Sequence, residues 1–195
     1  MGEFVERMQL AVLRWVRGIA RRRPYTHLAL SDPLIRPPHE VPLRHDRYMA
    51  RWWVFNEDWG LGRRHSWLAW VPSIRLHQVS HSDQDRHMHD HPWNNLSIIL
   101  KGRYVEVMPL YQEQLAVDDQ NPARQIRKLR KPWRPVFRRA ADRHRLELID
   151  GEEVWSLFVM FRWQRVWGFL TEDGWVPYHQ YTVAPQPAEE GADHG

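Results

Sequence analysis

Three histidines alternate along one short stretch of the chain, His87-Met88-His89-Asp90-His91. In an extended strand, residues two apart project to the same face. Any neighbouring pair of these histidines therefore aims two imidazoles at one point. That is the simplest way for a strand to chelate a metal ion. A third ligand from another strand would complete the face and leave positions open for substrate. The chain has 12 His and no Cys, so a metal must sit on nitrogen and oxygen ligands.

These residues need strands to hold them. From Arg51 onward the chain carries short runs rich in Val, Ile, Trp, Tyr and Phe, separated by turn residues. The runs are 52–55, 67–71, 74–79, 96–100, 104–108, 133–138, 144–148, 154–161, 166–170 and 175–178. No helical pattern intervenes, which predicts an all-β sandwich or barrel. Leu96, Ile98, Ile99 and Leu100 are apolar on both faces, so this strand expects cover on both sides. The cover would be the N-terminal helix or, in a homodimer, a second subunit.

Residues 4–22 read as that helix, with Phe4, Met8, Val12, Trp15 and Ile19 at three-to-four spacing. Packing of this stripe on the chain's own domain is preferred to a membrane surface. Pro24 ends the helix, and residues 24–47, rich in Pro, His and Arg, read as an irregular arm. The division expected is an N-terminal helix and arm over 1–47, a β domain over 48–182 and a disordered tail over 183–195. Residues 111–132 read as one long polar loop. No apolar run is long enough to cross a bilayer and no signal peptide is apparent, so a cytoplasmic location is expected.

The segment His89-Asp90-His91, with Asn95 and Gly102 beyond it, resembles the first motif of the cupin superfamily. That motif runs His-x-His, three or four residues, Glu, six residues, Gly. With His89 and His91 as the pair, position 95 is the Glu slot and the glycine falls on Gly102. With His87 and His89, position 100 is Leu. The resemblance thus selects His89 and His91. His144, after the turn Ala140-Ala141-Asp142-Arg143, sits where the second motif supplies a third ligand, although the motif's Pro and Gly are missing. The implied fold is a double-stranded β-helix, or cupin jelly roll, with an N-terminal helix. Arg51-Trp52-Trp53, 83–93, 144–148, Trp167-Gly168-Phe169 and Asp173-Gly174-Trp175 are further similar to uncharacterised cupin-like proteins of phages and prophages.

Asn95 in the acid slot implies three histidines in place of two and a carboxylate, an arrangement resembling the thiol dioxygenases. The resemblance implies a non-haem Fe(II) enzyme acting on a small molecule, with Zn, Ni or Mn in a non-redox isomerase or lyase as the alternative. His87, Asn95, Ser97 and Glu106 are candidates to support the ligands. Trp93, Tyr104 and Arg162 are candidates for a substrate pocket. A rival ligand pattern, His81-Ser82-Asp83, has the His-x-Asp form of 2-oxoglutarate oxygenases but lacks the glycine spacing. Arg51 and Arg145 offer guanidiniums for a carboxylate or phosphate, Arg145 being rated structural because strand alternation turns it away from His144. His77 reads as a surface or hydrogen-bonded residue. The net charge is +4, with basic clusters at 21–23 and 124–139. These admit nucleic acid as a partner of a non-enzymatic module, with a merely basic surface preferred.

Overall fold

A computed structural model describes residues 2–22, 25–29, 47–56, 71–83, 87–110, 125–171 and 174–181. Helix α1 (Gly2–Ala20) precedes β1 (Tyr25–Ala29), β2 (Arg47–Phe55), β3 (Ser73–Val79), β4 (Met88–His89), β5 (Trp93–Lys101) and β6 (Tyr104–Pro109). β7 (Gln125–Arg130), β8 (Val136–Arg138), β9 (Arg145–Leu148), β10 (Val154–Trp163), β11 (Gly168–Thr171) and β12 (Gly174–Pro177) follow.

One six-stranded sheet runs β1-β2-β3-β10-β5-β8, and two three-stranded sheets run β12-β11-β4 and β7-β6-β9. A single antiparallel bridge, His89 to His144, joins β4 to the residue that opens β9. The two small sheets thereby become one layer facing the large one. Among the described residues every pairing is antiparallel, and neighbours such as β3 and β10 are far apart in sequence. This is the jelly roll with an N-terminal helix that the sequence leads one to expect.

Alternation sorts the large sheet into two faces. The outer face presents Leu76, Leu100 and Trp155, which pack with Leu13, Val16 and Ala20 of α1. The chain's own helix thus covers the strand that is apolar on both sides. The helix is rotated from its expected setting, however. Trp15 is 68% exposed and Met8 is 48% exposed, while Leu13 and Val16 are buried. Both stripes obey helical spacing, and the shape of the sheet selects between them. Between the layers, Tyr48, Val79, Ile99, Tyr104 and Val154 form an apolar plug, with Leu146 and Leu148 against it.

Gly102, the motif glycine, turns the chain from β5 to β6 at φ +81°. A Cβ there would lie 2.6 Å from the carbonyl oxygen of Glu153. Only glycine fits that turn.

Two stretches differ from expectation. Tyr25–Ala29 lies in the expected arm but pairs with β2, Tyr25 opposite Trp52. Gln125–Arg130 lies in the expected loop but forms β7, Tyr104 opposite Arg130. Neither segment alternates apolar with polar, and each is placed by pairing with a distant strand. The run expected over 133–138 is a strand only at Val136–Arg138. Residues 67–70 of the run expected over 67–71, the arm over 30–46, the loop over 111–124 and the tail over 182–195 lie outside the described residues.

Candidate metal centre

The backbone places the three histidines. His89 donates its amide N–H to the His144 carbonyl at 2.9 Å, and His144 returns the bond at 3.0 Å. Residues so paired in an antiparallel ladder project to the same side. His91 lies two residues on, and its amide is held by the Ala140 carbonyl at 3.0 Å. Asn94 Oδ1 accepts the Ala140 amide at 2.8 Å, tying the turn before His144 to β5. One imidazole nitrogen from each of His89, His91 and His144 lies within 4.8 Å of the others.

The arrangement fits a metal ion by a simple test. Two nitrogens each about 2.1 Å from a common ion, at angles between octahedral and tetrahedral, lie roughly 3.0–3.4 Å apart. His91 Nε2 and His144 Nε2 are 3.3 Å apart. Burial, reinforced by neighbouring cations and imidazoles, holds the pKa values of His91 and His144 well below the usual histidine range. Both rings are therefore neutral, as ligands must be. Phe158, Phe169 and Trp167 wall the rings.

Behind His144 stands Glu106. Its Oε1 is 3.4 Å from Nδ1 of the neutral His144 ring, though not aligned as a hydrogen bond. Arg130 and Arg138 each place Nε 2.5 Å from this carboxylate, and Arg138 also donates to Tyr104 Oη at 3.2 Å. Burial works to lower the pKa of Arg138, but Tyr104 and Glu106 outweigh it and raise it. The carboxylate thus stands behind the His144 ring, on the side away from His91 Nε2, where carboxylates back imidazoles at metal centres. Three of the eight basic residues at 124–139 are paired with buried carboxylates, since Arg127 also meets Glu147.

Asp90, between His89 and His91, points the other way and is wholly buried. It accepts from the Gly168 amide at 2.8 Å and from Trp175 Nε1 at 2.9 Å, and Arg165 lies 2.9 Å away. It anchors the β11–β12 hairpin beneath the histidine cluster. Its role was not readable from sequence, because its partners are about 80 residues downstream.

The remaining candidates separate. Asn95 is wholly buried, and both of its side-chain polar atoms lack a partner. Ser97 is buried on the same face of β5, opposite Phe158. His87 stands apart from the triad, its Nδ1 3.1 Å from Tyr181 Oη. Trp93 packs edge-on to Trp163. Tyr104 belongs to the apolar plug and to the Arg138 contact. Arg162 is exposed on β10 and faces solvent, so it does not line the interior. Arg145 pairs with Glu147, on the opposite side of β9 from Leu146. Two residues of the rival pattern His81-Ser82-Asp83 hold β9: Asp83 and Ser82 accept the amides of Leu146 and Leu148 at 3.0 and 2.7 Å. His77 is a correction, for it is buried and not at the surface, and its Nε2 has no partner.

No family model matches the chain, and no curated protein matches it. Solved structures do. Hydroxypropylphosphonic acid epoxidase from S. wedmorenis is similar over 69% of this chain and 62% of its own, with 16% identity and a TM-score of 0.42. A cupin 2 conserved barrel domain protein from Rhodopseudomonas palustris matches over 77% of this chain and 79% of its own, with 11% identity and a TM-score of 0.45. The DMSP lyase DddQ from Ruegeria pomeroyi matches over 72% and 57%, with 12% identity and a TM-score of 0.42. The chain spans less than two thirds of the epoxidase and lyase chains.

Proposed function

We propose that the protein is a metal-dependent enzyme of cupin type, holding one divalent ion, Fe(II), on His89, His91 and His144. The observation that carries this reading is the convergence of three imidazoles, His91 and His144 neutral, with no carboxylate in the group. Three neutral ligands on one side leave the opposite positions open. When bound, the ion would supply Lewis acidity and a site where a small substrate and dioxygen can meet, giving an oxygenation.

The chain's own residues would do the rest. Glu106 orients the His144 ring. Phe158, Phe169 and Trp167 keep water from the ligands. Asn95, with both amide atoms unpartnered, offers one donor and one acceptor in the closed interior. Anaerobic reconstitution tests the reading. One iron per chain is expected, lost when the three histidines become alanine. Absence of bound iron with the histidines intact would overturn it. Oxygen uptake on adding substrate separates iron oxygenation from Zn, Ni or Mn acting without redox change.

A further inference from the structure

The inner wall of the large sheet carries a second cluster. On β2 and β3, Arg51 stands opposite His77 and Trp53 opposite Arg75. Residues directly opposite in an antiparallel pair share a face. On the next strand, Ser156 lies opposite His77 and Phe158 opposite Arg75. The Phe158 ring stacks on His77, centroids 4.8 Å apart, and reaches His91 at 5.8 Å. One aromatic ring therefore separates this patch from the metal ligands.

The patch is short of negative charge. Arg75 is 6% exposed, and its company is the Trp53 ring, 4.3 Å from its guanidinium carbon. Among the described residues neither Arg51 nor Arg75 has a carboxylate partner. Arg51 Nε, Trp53 Nε1, Arg75 Nε and His77 Nε2 are all buried without a hydrogen-bond partner. Burial lowers the pKa of Arg51 to about 10. Burial and the Arg51 charge lower that of Arg75 to about 9. Both remain cations at neutral pH. Buried charges left unpaired are strongly unfavourable, and buried donors are normally satisfied. Four orphan nitrogens and two cations set diagonally on adjacent strands are what an absent oxyanion would leave behind.

We propose that Arg51 and Arg75 form an oxyanion subsite on the inner wall, which holds the carboxylate or phosphoryl end of the small molecule on which the metal centre acts. Guanidiniums bind both groups through paired N–H donors. The Trp53 and His77 nitrogens lie beside them to complete the shell. Phe158 sets the distance between the anchored end and the reacting end. This inference rests on the metal reading for the word substrate, but the anion site itself does not need the metal.

The test is thermal melting and titration calorimetry of the full, metal-loaded chain with two probes, inorganic phosphate and succinate. Sodium chloride at matched ionic strength is the control. We expect one probe to raise Tm where chloride does not. Phosphate alone marks a phosphoryl ligand and succinate alone a carboxylate. Arg75→Met and Arg51→Met should each weaken that Kd by about tenfold or more, the loss of one charge-assisted pair. Each should also raise Tm without anion, because an unpaired buried charge is removed. A structural arginine would do the reverse. Overturning results are no response of the wild-type chain beyond chloride, or variants that bind as tightly as wild type. If the variants do not fold, the wild-type arm still decides. Metal content measured on the same samples keeps the two readings apart. Metal bound without anion binding sinks this inference alone, and anion binding without metal sinks the metal reading alone.

Discussion

Glu106 is wholly buried, yet it faces two guanidiniums and the back of a candidate ligand ring. Removing one partner of such a cluster leaves the others buried and uncompensated, at a cost of about 3–5 kcal/mol. Glu106→Ala should lower stability by that order, read by chemical denaturation. Glu106→Gln keeps the shape and loses the charge. It should weaken metal binding by about 10–100-fold, the usual effect of losing an outer-shell carboxylate; unchanged affinity would remove Glu106 from the site. His77 gives a pH prediction. Burial, helped by Arg51 and Arg75, holds its folded pKa well below 6.5. The unfolded chain therefore takes up the proton first as pH falls. Stability is intact above pH about 6.5 and declines below it, by about 1.4 kcal/mol per pH unit for this one group. Metal-free His77→Phe should show a shallower decline between about pH 6.5 and 5 than metal-free wild type; equal slopes would show that His77 does not titrate in this way.

At the scale of elements, Gly102 and α1 make contrasting cases. Gly102→Ala sets a Cβ against a backbone oxygen at positive φ. A loss of about 1–3 kcal/mol is expected, measured by denaturation. Leu13→Ala should cost about 2–5 kcal/mol, because Leu13 sits in the cluster with Leu76, Leu100 and Trp155. Trp15→Ala should cost far less, although both residues read as apolar helix positions. The contrast shows what a sequence can carry. A period of two makes His89 and His91 share a face in any strand, so that pair is legible locally. The glycine spacing is legible because only one residue fits Gly102. The setting of α1 is not, since two stripes satisfy the same spacing and the sheet decides. Nor is β7, whose Arg and Lys side chains hide an edge strand as a charged loop. Arg51, Arg75 and His77 become one patch only once β2 pairs with β3. Asp90 finds its partners only through β11 and β12.

Across the described residues, a six-stranded sheet faces two three-stranded ones, and the His89–His144 bridge joins those two at the candidate metal centre. An ion bound there would tie β4, β5 and the start of β9 together. Metal at about 100 times its Kd should stabilise the fold by about 2.7 kcal/mol. That appears as a rise in Tm that the triple His→Ala chain does not show. No described helix is long and apolar enough to cross a membrane. Helix α1 instead buries its stripe on the outer face of the large sheet, against Leu76, Leu100 and Trp155.

Strand alternation has one more consequence. Asp90 is the residue between two ligands, and it holds the Gly168 amide proton from the opposite face. Any adjustment of His89 and His91 around an ion must pass through the Cα of Asp90. The Gly168 N–H is thus a built-in reporter of occupancy. Its nuclear magnetic resonance should shift on metal addition, and its exchange with deuterium should slow. The neighbouring Gly174 amide, on the far strand of the same hairpin, serves as the internal reference.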